Sequence, residues 1–302
     1  MNIILGSGLI GLICKEVLGA DWKVIPFGKS RLYSFQPSLG DNYIVRDERI
    51  DDLATYLGGS PKHIYTTKYS AVGSLYQNND VVNDMWASKT FGNPPPPHVS
   101  PYLKNRDNIF IYDLKANIVY NKLLNKYETS LKEEAAKGKI TEIKDGVIKR
   151  GDETIEYDKI VSTVPLSVLD KLMGTDIKRP SKQVWYYHIA TDTLDFEGAN
   201  QVLVADQQIA FYKVNNIAKN RYLFYCVDDI PTPGPYFMQF MPRLDILDGT
   251  TIEDGLPTGD RPNLQHLENK KIYCIGAYAQ WDWCMDIGSC MIRLLKLKEQ
   301  LQ

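Results

Sequence analysis

Residues 2–18 read NIILGSGLIGLICKEVL. A short apolar run, Ile3-Ile4-Leu5, meets Gly6-Ser7-Gly8-Leu9-Ile10-Gly11, and an amphipathic segment follows through Val17. The spacing is G-x-G-x-x-G between a predicted strand and a predicted helix, the context in which the pattern has a mechanism. Gly6 permits the tight turn, Gly8 lets the backbone approach a pyrophosphate, and Gly11 lets helix and strand pack closely. The helix N-terminus then faces the phosphates. On this stretch alone NAD and FAD fit equally well.

In a dinucleotide fold the second strand ends in an acid that holds a ribose hydroxyl. Here Trp22 to Phe27 reads as that strand, and it ends in Pro26-Phe27, followed by Gly28-Lys29-Ser30-Arg31. The acid is missing. Lys29, Ser30 or Arg31 contacts the ribose or phosphates in its place, or the stretch is a polar surface turn.

The bulk numbers set the class. The chain has 302 residues, 44% hydrophobic and 24% charged, which is enough for one large domain or two joined ones with a sizeable core. A formal net charge of −2 gives no global basic field for nucleic acid or membrane. Five cysteines, an odd number without C-x-x-C, read as buried free thiols in a reducing compartment. Four scattered histidines show no ligand spacing, so no metal site is expected. No basic segment precedes the first strand and no run of about 18 apolar residues occurs. No signal peptide, no transmembrane helix and a cytoplasmic location are therefore expected.

Further along, Asp51 to Leu57 reads as a short helix and Asn83 to Ala87 as helical. Pro94-Pro-Pro-Pro97 reads as a rigid extended segment crossing between lobes. Ile109 to Tyr112 is a strand candidate, and Ile118 to Lys137 a helix. Lys139 to Tyr157 alternates as a meander with turns at Asp145-Gly146 and Gly151-Asp152. Asp158 to Pro165 is a buried strand that re-enters the first sheet, followed by a helix from Leu166 to Met173. Strand-forming runs at Val184–Ile189, Gln201–Val204, Gln208–Val214, Arg221–Val227 and Tyr236–Met241 predict an inserted antiparallel sheet. Such a lobe forms a cleft, a favoured small-molecule site. Residues 245–265 read as a loop, Lys271 to Gly276 as the last strand, Ala277 to Trp283 as an aromatic turn, and Met285 to Leu301 as the closing helix.

Three distant segments fit together: Gly6 to Gly11; Tyr157-Asp-Lys-Ile-Val-Ser-Thr-Val-Pro165; and Ile272-Tyr-Cys-Ile-Gly276-Ala-Tyr278-Ala-Gln-Trp281. Their order resembles the FAD-dependent superfamily of amine oxidases, protoporphyrinogen oxidase and UDP-galactopyranose mutase. Phe211-Tyr212-Lys213-Val214 and the Gly276 turn are similar to the mutase-like branch, although Ala277 stands where that pattern has Arg. Arg243 and Arg261 are the nearest candidates for the arginines with which the mutases hold a pyrophosphate.

The resemblance implies an α/β chain: an FAD-binding Rossmann-like domain of glutathione-reductase type with an inserted antiparallel-sheet substrate domain. The FAD-binding domain is expected over 1–60, 139–175 and 262–302, and the substrate domain over 61–138 and 176–261. It implies FAD as cofactor, held by Gly6, Ser7, Gly8, Leu9, Ile10, Gly11, Lys29, Ser30, Arg31, Thr163, Pro165, Gly276, Ala277, Trp281 and Ile287. Tyr212, Tyr278 and Trp281 are the candidate walls of a catalytic site. The implied activity is oxidation of a carbon–nitrogen bond in an amine or amino-acid-like substrate. Two alternatives stay open: redox-neutral chemistry on reduced flavin, and processing of an amine carried on a macromolecule such as a modified nucleobase. A small-molecule substrate is the expected partner. Nucleic acid is not indicated by net charge, no membrane is expected, and oligomeric state is unspecified.

Overall fold

A computed structural model describes residues 1–27, 44–71, 74–104, 108–144, 146–175, 177–192, 194, 196–207, 209, 211–227 and 245–301. The first half of the chain carries β1 (Asn2–Leu5), α1 (Leu9–Leu18), β2 (Trp22–Ile25), β3 (Ile44–Val45), α2 (Asp51–Leu57), β4 (Pro61–Ala71), β5 (Ser74–Tyr76), α3 (Asp80–Phe91), α4 (Val99–Leu103), β6 (Asn108–Tyr112), α5 (Ala116–Ala136) and β7 (Ile140–Lys144). The second half carries β8 (Val147–Arg150), β9 (Glu153–Glu156), β10 (Lys159–Ser162), α6 (Leu166–Leu172), β11 (Ser181–Ala190), β12 (Gln201–Val204), β13 (Phe211–Ala218), β14 (Arg221–Cys226), β15 (Asp245–Pro257), α7 (Gln265–Glu268), β16 (Ile272–Cys274), α8 (Ala277–Gln280) and α9 (Ile287–Leu301). They form two units. The first is Met1–Pro61 with Tyr112–Arg179 and Arg261–Gln302; the second is Lys62–Ile111 with Pro180–Asp260.

The first unit is built on a four-stranded parallel sheet in the order β16-β10-β1-β2. Its strands are short apolar runs because both faces are covered. Ile4 and Val161 point into one core with Leu12 and Ile13 of α1, Val119 and Leu123 of α5, and Met291 and Leu294 of α9. Ile3, Leu5 and Ile160 point into a second core with Ile143 and Ile148 of the β7-β8-β9 meander and Leu166 and Leu169 of α6. The side-chain period of two thus divides each strand between two layers. Lys15 closes the C-terminal end of α1, donating to the carbonyls of Gly19 at 3.1 Å and Trp22 at 2.5 Å.

A charged cluster fastens the meander to the end of α5. Arg150 is 0% exposed and donates to Glu134 at 2.9 Å and to Glu153 at 2.6 Å. Lys23 and Lys137 also reach Glu134, at 3.0 and 2.7 Å. Burial pushes the Glu134 carboxyl upward, but hydrogen bonds from Lys137, Lys23 and Arg150 outweigh it and hold the pKa down at about 2.

The second unit carries the strands β15-β11-β14-β13-β12-β4-β6 in that order, with β5 beside β4. Most pairs are antiparallel, and β12 lies parallel to β4 with Val202 opposite Lys68. One face buries Val202, Val204, Phe211, Val214 and Phe224. From α3, the Trp86 indole N–H donates to the carbonyl of Tyr212 at 2.5 Å. Lys89 donates to the carbonyls of Val204 at 2.9 Å and Phe211 at 2.6 Å, bridging the end of β12 and the start of β13. Burial lowers the Lys89 ammonium to about 7.

Several expectations change. The helix α5 was placed in the inserted domain; residues 112–138 belong to the first unit, because the apolar stripe of α5 packs on α1. The inserted sheet is mixed, since β12 and β4 run parallel. Residues 245–257, read as loop, form β15 paired antiparallel with β11. An end strand satisfies its pairing through its backbone and tolerates polar side chains. The four prolines do not cross between units: they join α3 to α4 inside the second. The strand Tyr236–Met241 and Arg243 lie outside the described residues.

Candidate cofactor site

Three strand ends meet at the C-terminal edge of the parallel sheet, and each carries one of the three motif segments. At β1, Gly6 takes φ +106°, a conformation costly for any residue with a side chain, and its N–H donates to Ile25 at 2.9 Å. A Cβ on Gly6 would lie 2.5 Å from the Thr163 hydroxyl. Thr163 follows β10 directly, and both its N–H (2.9 Å) and its hydroxyl (3.0 Å) donate to the Leu5 carbonyl. A Cβ on Gly11 would lie 2.1 Å from the Gly6 carbonyl oxygen, so α1 presses directly on the turn. At β16, Ile275 donates to Ser162 at 2.9 Å and Gly276 takes φ +120° beside Ile10.

Gly8 differs from its two companions. It is exposed, has an ordinary φ of −67°, and among the described residues a Cβ there meets nothing within 4 Å. It sits at the N-cap of α1, where no side chain makes a cap and the first turn holds no acid. The open space, the positive end of the helix dipole and the absence of a competing carboxylate fit a diphosphate. The usual ribose carboxylate is absent: β2 ends at Ile25 and leads into Pro26-Phe27. Lys29, Ser30 and Arg31 lie outside the described residues.

The other expected site residues separate. Ser7 and Leu9 are buried in the turn; Ile10, Thr163, Pro165, Ala277 and Ile287 are half-buried. Pro165 caps α6, Ala277 opens α8 and Ile287 opens α9. At the start of α9 the Ser289 N–H is already taken by Asp286, at 2.7 Å. Tyr278 is half-buried in the first unit. Trp281 is not an open wall: it is 1% exposed and packs in the core with Leu5, Val164 and Leu166. Tyr212 belongs to the second unit, where it is buried with its ring 6.3 Å from Trp86 and 6.0 Å from Tyr225.

Sequence reasoning missed two polar residues in the aromatic turn. Gln280 donates to the Cys274 carbonyl at 2.9 Å, and the Asp282 carboxylate accepts from Cys284 N–H at 3.0 Å and from Arg261 at 2.7 Å. The available signal was two polar side chains inside an apolar, aromatic stretch. Arg261, a candidate for a substrate pyrophosphate, is engaged by Asp282. All five cysteines are buried and none forms a disulfide. Burial raises the thiols of Cys14 and Cys290 and pushes Cys274 up to about 12, so these three stay protonated and are poor nucleophiles.

The parallel sheet with its glycine turn places the chain among mixed α/β dinucleotide-type folds. No family model and no curated protein matches it. Among solved structures it is similar to a reduced UDP-galactopyranose mutase (TM-score 0.64, 13% identity, 99% of this chain and 94% of that one). It is similar to an oxidoreductase from Methanosarcina mazei (TM-score 0.63, 11% identity, 99% of each chain). A putrescine oxidase redesigned in its cofactor binding also shares the fold (TM-score 0.56, 10% identity, 99% and 98%). At 10–13% identity these likenesses show a shared fold, the fold of the reduced mutase and of the putrescine oxidase. Among the described residues, no helix is long and apolar enough to cross a membrane.

Proposed function

We propose that this chain is an FAD-dependent enzyme that oxidises a carbon–nitrogen bond in an amine or amino-acid-like small molecule. The observation that carries the cofactor is the open, uncapped start of α1 at Gly8, set between the ends of β10 and β2. On this reading the first unit is the glutathione-reductase-type FAD-binding domain and the second the substrate domain. Gly6, Ser7, Gly8, Leu9, Ile10 and Gly11 hold the diphosphate, with Thr163 fixing the turn. The Gly276 turn, with Ala277 and Tyr278, adjoins the flavin end, and Pro165 and Ile287 flank it. FAD, when bound, supplies the hydride acceptor; the protein binds and orients it.

The likeness to a putrescine oxidase supports amine oxidation. A neutral amine needs no strong protein base. The likeness to a mutase in its reduced form supports a second reading, redox-neutral chemistry on reduced flavin. Against it stand Ala277 in place of arginine and the capture of Arg261 by Asp282.

Purified protein should carry, or take up, FAD and show visible flavin bands. Anaerobic addition of an amine panel should bleach them. Protein that stays colourless with added FAD refutes the flavin assignment, and turnover seen only after dithionite reduction favours the second reading. Gly8→Val isolates the cradle. Because the position is open, the variant should melt with wild type, yet its side chain fills the diphosphate approach. FAD affinity should fall about tenfold or more, about 1.4 kcal/mol. Unchanged affinity, measured by titration of flavin fluorescence, removes Gly8 from the site.

A further inference from the structure

The aromatic turn after β16 is held from outside itself. Asp282, 4% exposed, sends its own N–H to the Ala277 carbonyl at 2.8 Å and accepts from Cys284 N–H at 3.0 Å. Its other carboxylate oxygen accepts from Arg261 Nε at 2.7 Å. Arg261 is the residue at which the chain returns to the first unit. Between these bonds lies Trp281, buried and at φ +55°, a left-handed conformation that a bulky residue keeps only when its surroundings impose it. A buried carboxylate requires a cation, so the pair and the shape of the turn stand together.

We propose that Arg261 and Asp282 are positioning residues: the pair pins the turn Ala277–Trp283 to the re-entry point of the chain and so shapes the part of the cofactor site that adjoins the flavin. This rests on the FAD reading above. The outgoing crossing offers an internal control. Arg179, the last residue before the second unit, pairs at 2.7 Å with Asp170 of α6, which is 2% exposed. That bond ties down α6, whose Leu166 packs with Trp281, but among the described residues Arg179 makes no hydrogen bond to the turn, so it tests the packing without the pin.

The test compares Arg261→Ala, Arg261→Lys and Arg179→Ala. The Arg261 side chain is 54% exposed, so its truncation leaves the core intact. In cofactor-free Arg261→Ala, hydrogen exchange at the amides of Asp282 and Cys284 should quicken. FAD affinity should weaken about tenfold, the scale of a lost bond to a charged group, and the visible flavin bands should shift. Arg261→Lys, which restores the charge without the planar fork, should recover part of each effect. Arg179→Ala should lower the melting temperature with the flavin bands unmoved. Quickened exchange with wild-type affinity and spectrum would reduce the pair to a structural tie and overturn the proposal, as would wild-type exchange. Failure of the unmutated protein to take up FAD overturns the flavin reading instead, and the exchange comparison still decides the pin.

Discussion

Gly11→Ala should abolish FAD uptake and lower the melting temperature together. The new Cβ would lie 2.1 Å from the Gly6 carbonyl oxygen and 2.9 Å from its carbon. Both atoms are main chain, so no side-chain rotation relieves the clash. Either α1 lifts from the sheet or the Gly6 turn opens. The first breaks the packing of Leu12 and Ile13; the second misplaces the N–H groups proposed to meet the diphosphate. Overpacking of this kind costs about 1–3 kcal/mol, and a backbone clash lies at the upper end. The contrast with Gly8→Val is the decisive feature, since that variant should bind the cofactor weakly and keep the fold. Gly11→Ala protein that binds FAD like wild type would contradict the close approach.

Arg150→Ala should be the most destabilising single change in the meander. Its guanidinium is fully buried and bonds Glu134 and Glu153, so truncation empties a buried space and takes from Glu134, itself 8% exposed, one of its three cations. Lys23 and Lys137 stay on Glu134, so the cost falls below the roughly 3–5 kcal/mol of a fully broken buried pair. Replacing both Arg150 and Glu134 by methionine should cost less, because apolar side chains fill the space of the buried pair and the charges left, on Lys23, Lys137 and Glu153, reach solvent. Urea denaturation of the three proteins measures the difference, and a double variant as unstable as Arg150→Ala would refute the account. The pair also predicts an acid limb. The Glu134 pKa is held at about 2, below its ordinary 4.5, so as pH falls the unfolded chain takes up the proton first. The stabilisation is complete above about pH 4.5 and is lost as pH drops toward 2. Glu134→Gln should remove that part of the pH dependence.

The parallel sheet was legible because its strands are buried on both faces. Ile3-Ile4-Leu5 and Ile160-Val161 are runs without polar alternation, and each ends in the small or polar residues that its turn needs. The partner of α5 was not legible: an amphipathic helix shows which face is buried and not what covers it. The strand β15, with Asp245, Gly249, Thr250 and Gly255, carries a loop's composition, and its partner β11 lies far away in sequence. In β4 a signal was present and unread. Tyr65, Thr67, Tyr69 and Ala71 are buried and alternate with less buried Thr66, Lys68 and Ser70. At the site, the glycines announced themselves through backbone requirements that few other residues meet. Trp281 did not, since aromatic density marks a buried region without saying whether a ring faces a core or a ligand. The Arg261–Asp282 bond joins two separate stretches, and no local pattern links them.

The strand order β16-β10-β1-β2 has a consequence for how the protein folds. Asn2 pairs with Lys159, and Ile160 pairs with Ile272. On one side β1 therefore waits for a neighbour about 155 residues on (159 − 2), and that neighbour waits for a partner about 110 residues further on (272 − 160). The second unit is likewise assembled from two stretches, joined where Val202 meets Lys68. Neither unit is a contiguous piece of sequence. Loop closure over such separations precedes most of the stabilising contacts, which makes folding slow. A chain cut before Arg261 lacks β16 and α9, leaving one side of β10 unpaired and part of the core around α1 bare.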